Sequence, residues 1–353
     1  MHLIIPHLFP SPEFLQAALQ DLRLPSLETL IARGRVSTSV VAGVEGALCL
    51  AWGIKRQTDW PWAPASLLAD GGVPERAYWL RCDPVHIRVQ RNRLIVLGNE
   101  SISVTQEEAT TLCNDLAGHF GATFQPQAVH PNRWYCCPTD DPIIETTPLS
   151  LVIGRDIDPL LPRGPGALKW RALLNEVQML LYGHPVNQAR EAHNLPAINS
   201  IWLWGGGRFS QAASVSGRFF CTDNHLRSIA KGIGIGAPPW TGKFEEVVSD
   251  GVALLAQLEI DGQRGDVLGW REAARQFDAQ LLSLLVKSGT PLKLEDPISG
   301  TVLHYAPKDR WKLWRRAKPL APKAQMVSIT PPSSAPAVDE FGNTLRKISY
   351  GMS

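Results

Sequence analysis

Charge of one sign is the first thing this chain lacks. Its 35 lysines and arginines stand against 33 aspartates and glutamates, a formal net charge of +2. That balance argues against a protein that coats nucleic acid at large. Long apolar runs are missing too, so no segment reaches membrane-spanning length. Residues 2–9 are too short for a signal peptide and hold no cleavage pattern. The six cysteines (Cys49, Cys82, Cys113, Cys136, Cys137 and Cys221) form no CxxC pair. Their scatter predicts reduced thiols in a cytoplasm and no disulfide framework. There is no HExxH, no GxSxG and no metal-spaced cluster of histidines and aspartates. Nothing local compels catalysis.

What is present fits a folded protein. A hydrophobic share of 44 % with 19 % charged residues excludes a disordered chain. A length of 353 residues allows one large domain or two, with a full core. The adjacent Cys136 and Cys137 read as strand residues facing opposite ways. Twelve tryptophans imply aromatic packing or recognition of planar groups.

In chain order, Leu3, Ile4 and Ile5 predict a buried strand. Ser11 then caps a helix with Pro12 at its first position and Phe14, Leu15, Ala18, Leu19 and Leu22 on its apolar face. Ser26 is expected to cap a second helix that Gly34 stops. Residues 40–75 read as loop with a short helix. Residues 76–82, 85–90 and 93–97 read as strands, with a tight turn at Arg91 and Asn92 between the last two. Thr105 and Glu108 make a capping box for the helix carrying Ala109, Leu112, Cys113 and Leu116. Residues 134–137 and 149–153 suggest further strands. Trp170, Leu173, Leu174, Val177, Leu180 and Leu181 share one helical face, and Pro185 ends that helix. Strands are expected at 198–204, 219–221 and 252–260, a short helix from Asn224 to about Gly232, and a long helix over 270–286. Residues 292–294 and 301–305 suggest a hairpin around Ser299 and Gly300. The alternation predicts an α/β fold with a mostly parallel, helix-covered sheet. The first part of that core would span 1–75, an α+β insertion 76–150, the rest of the core 151–322, and a flexible Pro/Ser tail 323–353.

One stretch stands out for chemistry. Residues 184–207 gather His184, Asn187, Arg190, Glu191, His193 and Asn199, then an apolar strand running into Gly205, Gly206 and Gly207. So many hydrogen-bonding side chains in a short run need solvent or a ligand to satisfy them. The glycines could let backbone amides approach an anion, or could simply serve a tight turn with close packing. Lys231 beside Gly232, Gly234 and Gly236, followed by Thr241, Gly242 and Lys243, could hold a phosphate; an ordinary helix C-cap at Gly232 explains it equally. Asp83, Pro84, Val85 and His86 put a carboxylate and an imidazole near a strand start, or in a turn with a satisfied histidine. Asp223 lies near His225, but a helix N-cap accounts for it. Residues 307–323 carry Lys308, Arg310, Lys312, Arg315, Arg316, Lys318 and Lys323 against Asp309 alone. Interleaved with Trp311 and Trp314, they could grip an anionic partner or nucleic acid. The plainer reading is a solvated strand edge that its charges keep from pairing.

Taken together, these segments resemble the archaeal-type cofactor-independent phosphoglycerate mutases of the alkaline-phosphatase-like superfamily. Asp83, Pro84 and His86 match its DPH element, with Val85 inserted. His184, Pro185, Asn187, Arg190 and Asn199 match a later polar run, Gly205 to Gly207 a Gly-x-Gly, and Lys231, Gly232 and Ile233 a KGi element. Order and spacing agree over about 80–245. The chain resembles in particular a bacterial branch known as the regulatory protein of a pathogenicity-factor cluster, whose members share the WLWGGG strand and the Trp-Arg-Arg ending, up to about residue 320.

The resemblance implies an alkaline-phosphatase-like fold and an anion-binding cleft lined by His184, Asn187, Arg190, Asn199, Gly205, Gly206, Gly207 and Lys231. It also implies a lost reaction. The enzymes carry a metal-binding aspartate after the first strand, where this chain has Pro6 and His7. They carry a nucleophilic serine where it has Val44, Glu45, Gly46, Ala47 and Leu48. They close with an Asp and His set for two metal ions, where it has only His304 after Val252. Phosphoryl transfer by that route needs both serine and metals. The expectation is therefore a cytoplasmic, non-catalytic binding or regulatory protein with no cofactor, taking a phosphorylated small molecule or a protein partner, with no role for nucleic acid or membrane. The alternative is a divergent mutase or phosphatase using Mn or Mg on a relocated site, for which His7, Asp83, His86 and Asp223 are the stand-in ligands.

Overall fold

The computed structural model describes residues 1–320 apart from 40, 42, 91–92, 98–100, 213–216, 241–250 and 289. The turn at Arg91 and Asn92, the Thr241–Lys243 run named above and the tail 323–353 lie outside the described residues. In chain order the strands are β1 (His2–Ile4), β2 (Arg35–Thr38), β3 (Tyr78–Gln90), β4 (Arg93–Leu97), β5 (Pro126–His130), β6 (Arg133–Cys136), β7 (Ser200–Arg208), β8 (Arg218–Phe220), β9 (Gly251–Leu254), β10 (Leu292–Asp296) and β11 (Thr301–Tyr305). The helices are α1 (Pro12–Ala18), α2 (Pro25–Arg33), α3 (Val44–Ala51), α4 (Trp62–Ala69), α5 (Gln106–Phe120), α6 (Ala167–Tyr182), α7 (Pro185–Ala192), α8 (Asn224–Gly232), α9 (Glu259–Arg264), α10 (Val267–Phe277) and α11 (Ser283–Ser288).

These strands make two sheets, of which only the first holds parallel pairs. The first runs β2-β11-β10-β1-β9-β8. Its pairs β10–β1, β1–β9 and β9–β8 are parallel, while β10–β11 and β11–β2 are antiparallel. The second runs β4-β3-β6-β5 with β7 also on β3, and is antiparallel throughout. It draws β7 from beyond residue 150. The architecture is α/β with one mixed and one antiparallel sheet.

Period-two alternation sets the layers. On β7, Ile201 and Leu203 join Leu80 and Cys82 of β3 in a core under α5 and α6. Trp202 and Trp204 point the other way, into a core shared with Ile4, Phe219 and Leu254 of the first sheet. On β1, Leu3 faces the opposite side, against α1, α2 and α10. The order is therefore helices, sheet, a shared core that includes α3, α4 and α8, sheet, helices.

Several local expectations hold. Ser11 Oγ accepts from Phe14 N at the start of α1, and the Thr105–Glu108 capping box is formed. Others fail for reasons of tertiary structure. Ser26 does not cap α2; the carboxylate of Asp278 accepts from Ser26 N at 3.1 Å and Leu27 N at 2.7 Å. Residues 76–82 and 85–90 are parts of one strand, β3. Its partner on one side changes from β6 to β4 around Pro84, so a residue without an N–H is tolerated there. The apolar run 149–153 opens as a 3-10 turn, Leu149–Leu151, and keeps only an isolated bridge from Ile153 to Val96, and the strand expected over 252–260 ends at Leu254. The long helix over 270–286 is interrupted by a π-helical turn, Asp278–Leu282, which carries the capping Asp278.

An acid-sensitive anchor holds β1 to β10. Glu295 receives His2 Nε2 at 2.9 Å, Lys293 Nζ at 2.6 Å and Ser39 Oγ at 2.8 Å. Burial pushes its carboxyl up, but these partners outweigh it and hold it at about 2. A carboxylate held below its unfolded value stabilises the fold above that value and loses the contribution as pH falls. Unfolding measured between pH 5 and pH 2 is expected to show falling stability, with a shallower slope in Glu295→Gln; equal slopes would show that Glu295 is not the titrating anchor.

Candidate functional site

In sheets with parallel strands, ligands sit outside the carboxyl ends of those strands. Here β1, β9 and β10 end together, and a crevice of about 560 Å³ opens there, lined among others by His7, Phe14, Ser150, Arg155, Gln263 and Ser299. Its geometry depends on Asp296, the last residue of β10, which is fully buried. Asp296 Oδ2 accepts from Phe9 N at 2.8 Å. Its Oδ1 accepts from His7 N at 3.2 Å, Ile298 N at 2.9 Å and Ser299 N at 3.4 Å. One carboxylate thus ties the loop after β1 to the loop after β10. Burial pushes its carboxyl up to about 6 against the pull of those backbone donors.

His7 takes a left-handed backbone, φ 59°. Such a conformation in a non-glycine residue persists only where neighbours over-determine it. Here Asp296 holds its N–H and Trp270 Nε1 donates to its carbonyl at 2.8 Å. The imidazole packs on Gly262 of α9, where a Cβ would stand 2.6 Å from His7 Cβ. Burial lowers its pKa to about 4, so it lines the crevice as a neutral ring at pH 7. Among the described residues no hydrogen bond engages that ring. Ser150 Oγ donates to Glu45 Oε2 at 2.7 Å, keeping its lone pairs for another donor. Arg155 is exposed and is the only charged side chain among the described lining residues. A cation, a neutral imidazole, hydroxyls and an amide around an open crevice can hold a small anion by charge and hydrogen bonds.

Apart from His7, the residues singled out in the sequence do not line this crevice. His184 caps α7, accepting from Val186 N, and its Nε2 lies 2.9 Å from Asp115. Asn187 is buried, donating to the carbonyls of Leu181 and Ile198 and accepting from Ile198 N. Arg190 is buried against Glu108, with its other donors on the carbonyls of Ile102 and Pro196. Asn199 exchanges two hydrogen bonds with the backbone of Ile87. Their polar atoms serve the joint between α7, α5 and the second sheet. Gly205 to Gly207 lie inside β7. Between the pairs Arg81–Trp204 and Trp79–Gly207, β7 carries one extra residue, a bulge that Gly205 accommodates at φ 68°. A Cβ on Gly206 would stand 2.3 Å from Tyr78 Oη, so close packing is their use. Lys231 lies in the last turn of α8.

The stand-in metal ligands are also dispersed. Asp83 is fully buried and takes Arg81 Nε and Nη2, both at 2.8 Å, with Trp204 Nε1 at 2.8 Å and Trp134 N at 3.3 Å. His86 Nδ1 is 2.8 Å from Ala197 O, and Asp223 caps α8 through Leu226 N. Among the described residues no three His, Cys, Asp or Glu side chains converge on a metal site. With Asp296 spent on backbone amides and Asp83 on Arg81, the described residues do not fit a two-metal centre.

A second polar cluster lies around Arg81. Its Nη1 donates to Ser66 Oγ at 2.7 Å, and Ser66 is 3.1 Å from His225 Nε2, whose Nδ1 is 3.3 Å from Asp70. Hydroxyl, imidazole and carboxylate thus stand in the order of a nucleophile relay. Ser66, however, is fully buried and shared with Arg81 and Tyr135, so no substrate carbonyl can reach it. The cluster ties α4 to α8 and the second sheet. Burial pushes Asp70 up, and His225, Arg133 and Tyr135 overcome it to hold the carboxylate well below its usual range.

His7 was named, as a candidate metal ligand; the other crevice residues were missed because each is an ordinary loop residue in isolation. The available signal was Asp296 at the end of an alternating strand, followed by Pro297, Ser299 and Gly300. Asp296 accepting from Ile298 and Ser299 makes that stretch a side-chain-closed turn.

A family model of 2,3-bisphosphoglycerate-independent phosphoglycerate mutase matches residues 69–187. A probable enzyme of that description from Geobacter sulfurreducens is 34 % identical over 86 residues, 24 % of this chain and 22 % of that protein. One from Methanosarcina mazei is 33 % identical over 94 residues, 26 % of this chain and 23 % of that protein. The matches span less than a quarter of either relative's length. A solved structure, the cofactor-independent phosphoglycerate mutase of Thermoplasma acidophilum, aligns over 86 % of this chain and 89 % of its own, with TM-score 0.44 and 15 % identity. The chain is phosphoglycerate-mutase-like in sequence over residues 69–187, about a third of its length.

Proposed function

From that likeness, we propose that this protein binds a small phosphate- or carboxylate-bearing molecule in the crevice past β1 and β10, within an alkaline-phosphatase-like architecture, and does not carry out mutase chemistry. Its role would be binding or regulation, with the ligand as the signal. The observation that carries the reading is the fate of Asp296. A carboxylate at the end of a central parallel strand, where a metal-dependent relative could place a ligand, here closes two loops through four backbone amides. The crevice keeps recognition chemistry: Arg155 for charge, Ser150 and Ser299 for hydrogen bonds, and His7 as a neutral donor or acceptor. The anion contact thereby moves from the 184–207 stretch to loops after the strand ends.

Calorimetric titration with 3-phosphoglycerate, as a phosphate-and-carboxylate probe, tests it. Binding is expected in the wild type, weakened about tenfold or more in Arg155→Ala, the usual loss for a charged hydrogen bond. Binding that Arg155→Ala leaves unchanged while Arg190→Met or Lys231→Ala abolishes it would return the site to the central polar stretch.

A further inference from the structure

The segment from Pro307 to Lys318 turns its least water-compatible side chains outward. Trp311, Leu313 and Trp314 are 65 %, 64 % and 76 % exposed, three large apolar groups within four residues. Lys308, Arg310, Arg315, Arg316 and Lys318 surround them, all exposed and none paired with a carboxylate among the described residues. The one acid of the stretch, Asp309, is buried, taken by Lys312 Nζ at 2.7 Å and by Ala306 N at 2.8 Å. Burying the acid and exposing the tryptophans is the reverse of an ordinary solvated turn.

Nor is this a loose end. The residues 307–311 form a 3-10 turn closed by Asp309. Arg33 Nη1 donates to Arg310 O at 2.9 Å, and Lys312 Nζ reaches Arg33 O at 3.2 Å, so the turn is fastened to α2. Arg310 sits 4.8 Å over the Trp311 ring. Beside it runs a groove of about 600 Å³ whose lining includes Arg35, Lys293, Lys308 and Lys312. The result is a held, cationic face with three apolar tips.

We propose that this face rests on an anionic lipid bilayer, Trp311, Leu313 and Trp314 entering the headgroup region while the surrounding lysines and arginines meet lipid phosphates. Tryptophan and leucine at the acyl boundary with cations around them is the chemistry of a protein that lies on a membrane without spanning it. Single-stranded nucleic acid would use the two indoles for stacking but gives Leu313 no role. The expectation of no membrane contact rested on the lack of a long apolar run. No described helix is long and apolar enough to cross a membrane, but surface contact needs only a cluster.

The full chain, co-sedimented with phosphatidylcholine vesicles with and without phosphatidylglycerol, tests this. Binding is expected only to the anionic vesicles, to fall with added salt, and to weaken at least about tenfold in Arg315→Glu/Arg316→Glu. Trp311→Ser/Trp314→Ser should weaken it comparably, and a thermal melt matching the wild type shows that each variant is folded. Leu313→Ser alone serves as the milder variant should the double one fail that check. Absence of binding to the anionic vesicles, binding that none of these variants alters, or tighter binding to an oligo(U) strand than to vesicles would overturn the proposal.

Discussion

Replacing Asp296 by alanine is expected to be among the most damaging single changes, lowering unfolding free energy by about 3–5 kcal/mol. The loss would come from backbone, since His7, Phe9, Ile298 and Ser299 would each keep a buried or half-buried N–H without its acceptor. Relaxation of the two loops toward water limits the sum. Those loops are also walls of the crevice, so binding of 3-phosphoglycerate should disappear with the stability. Asp296→Asn separates the two effects: its carbonyl can keep the three amides held by Oδ1, while its NH2 would oppose the Phe9 N–H that Oδ2 accepts. An intermediate stability with binding already lost is the expected pattern. Urea unfolding with an unchanged slope and a shifted midpoint measures the first effect, and titration the second. Wild-type stability in Asp296→Ala would show that the tie contributes nothing.

Arg81→Met is expected to cost a similar amount, about 3–5 kcal/mol, for a different reason. Arg81 is 4 % exposed and lies between the rings of Tyr135 and Trp204, 5.1 and 5.0 Å from their centroids. Its removal leaves the Asp83 carboxylate buried with only the neutral donors Trp134 N and Trp204 Nε1. Lysine at 81 keeps the charge but not the two-pronged geometry, so Arg81→Lys should recover only part of the loss. Binding in the crevice should survive wherever Arg81→Lys still folds. This matters for reading the chain, because Asp83 is the aspartate of the element that resembles the mutases. A stability loss without a binding loss marks it as scaffold.

Much of the local structure was legible. Ser11, the Thr105–Glu108 box, the apolar face of α6 and the hairpin of β10 and β11 follow from side-chain chemistry within a few residues, and the structure keeps them. What was not legible depends on distant chain. Ser26 looked like a cap because nothing local announces that Asp278, 252 residues on, takes the amides of α2. The balance of parallel and antiparallel pairing is set by β1 lying between β9 and β10, a contact across nearly the whole sequence. The same applies to function. The polar density of residues 184–199 was real, and it did demand satisfaction. Its partners are Glu108 and the backbone of Leu181, Ile198, Ile102 and Ile87, which a list of motifs cannot supply. Conversely, the crevice is lined by a histidine after β1, an arginine in a turn and serines after Pro148 and Pro297, none of which forms a motif.

The most direct test of the central claim is metal content by elemental analysis, with 3-phosphoglycerate turnover measured on the same sample after adding Mn²⁺. A binding protein without a metal centre predicts no stoichiometric metal and no turnover. Stoichiometric metal with turnover would contradict it and place a functioning mutase site on residues other than those of the crevice.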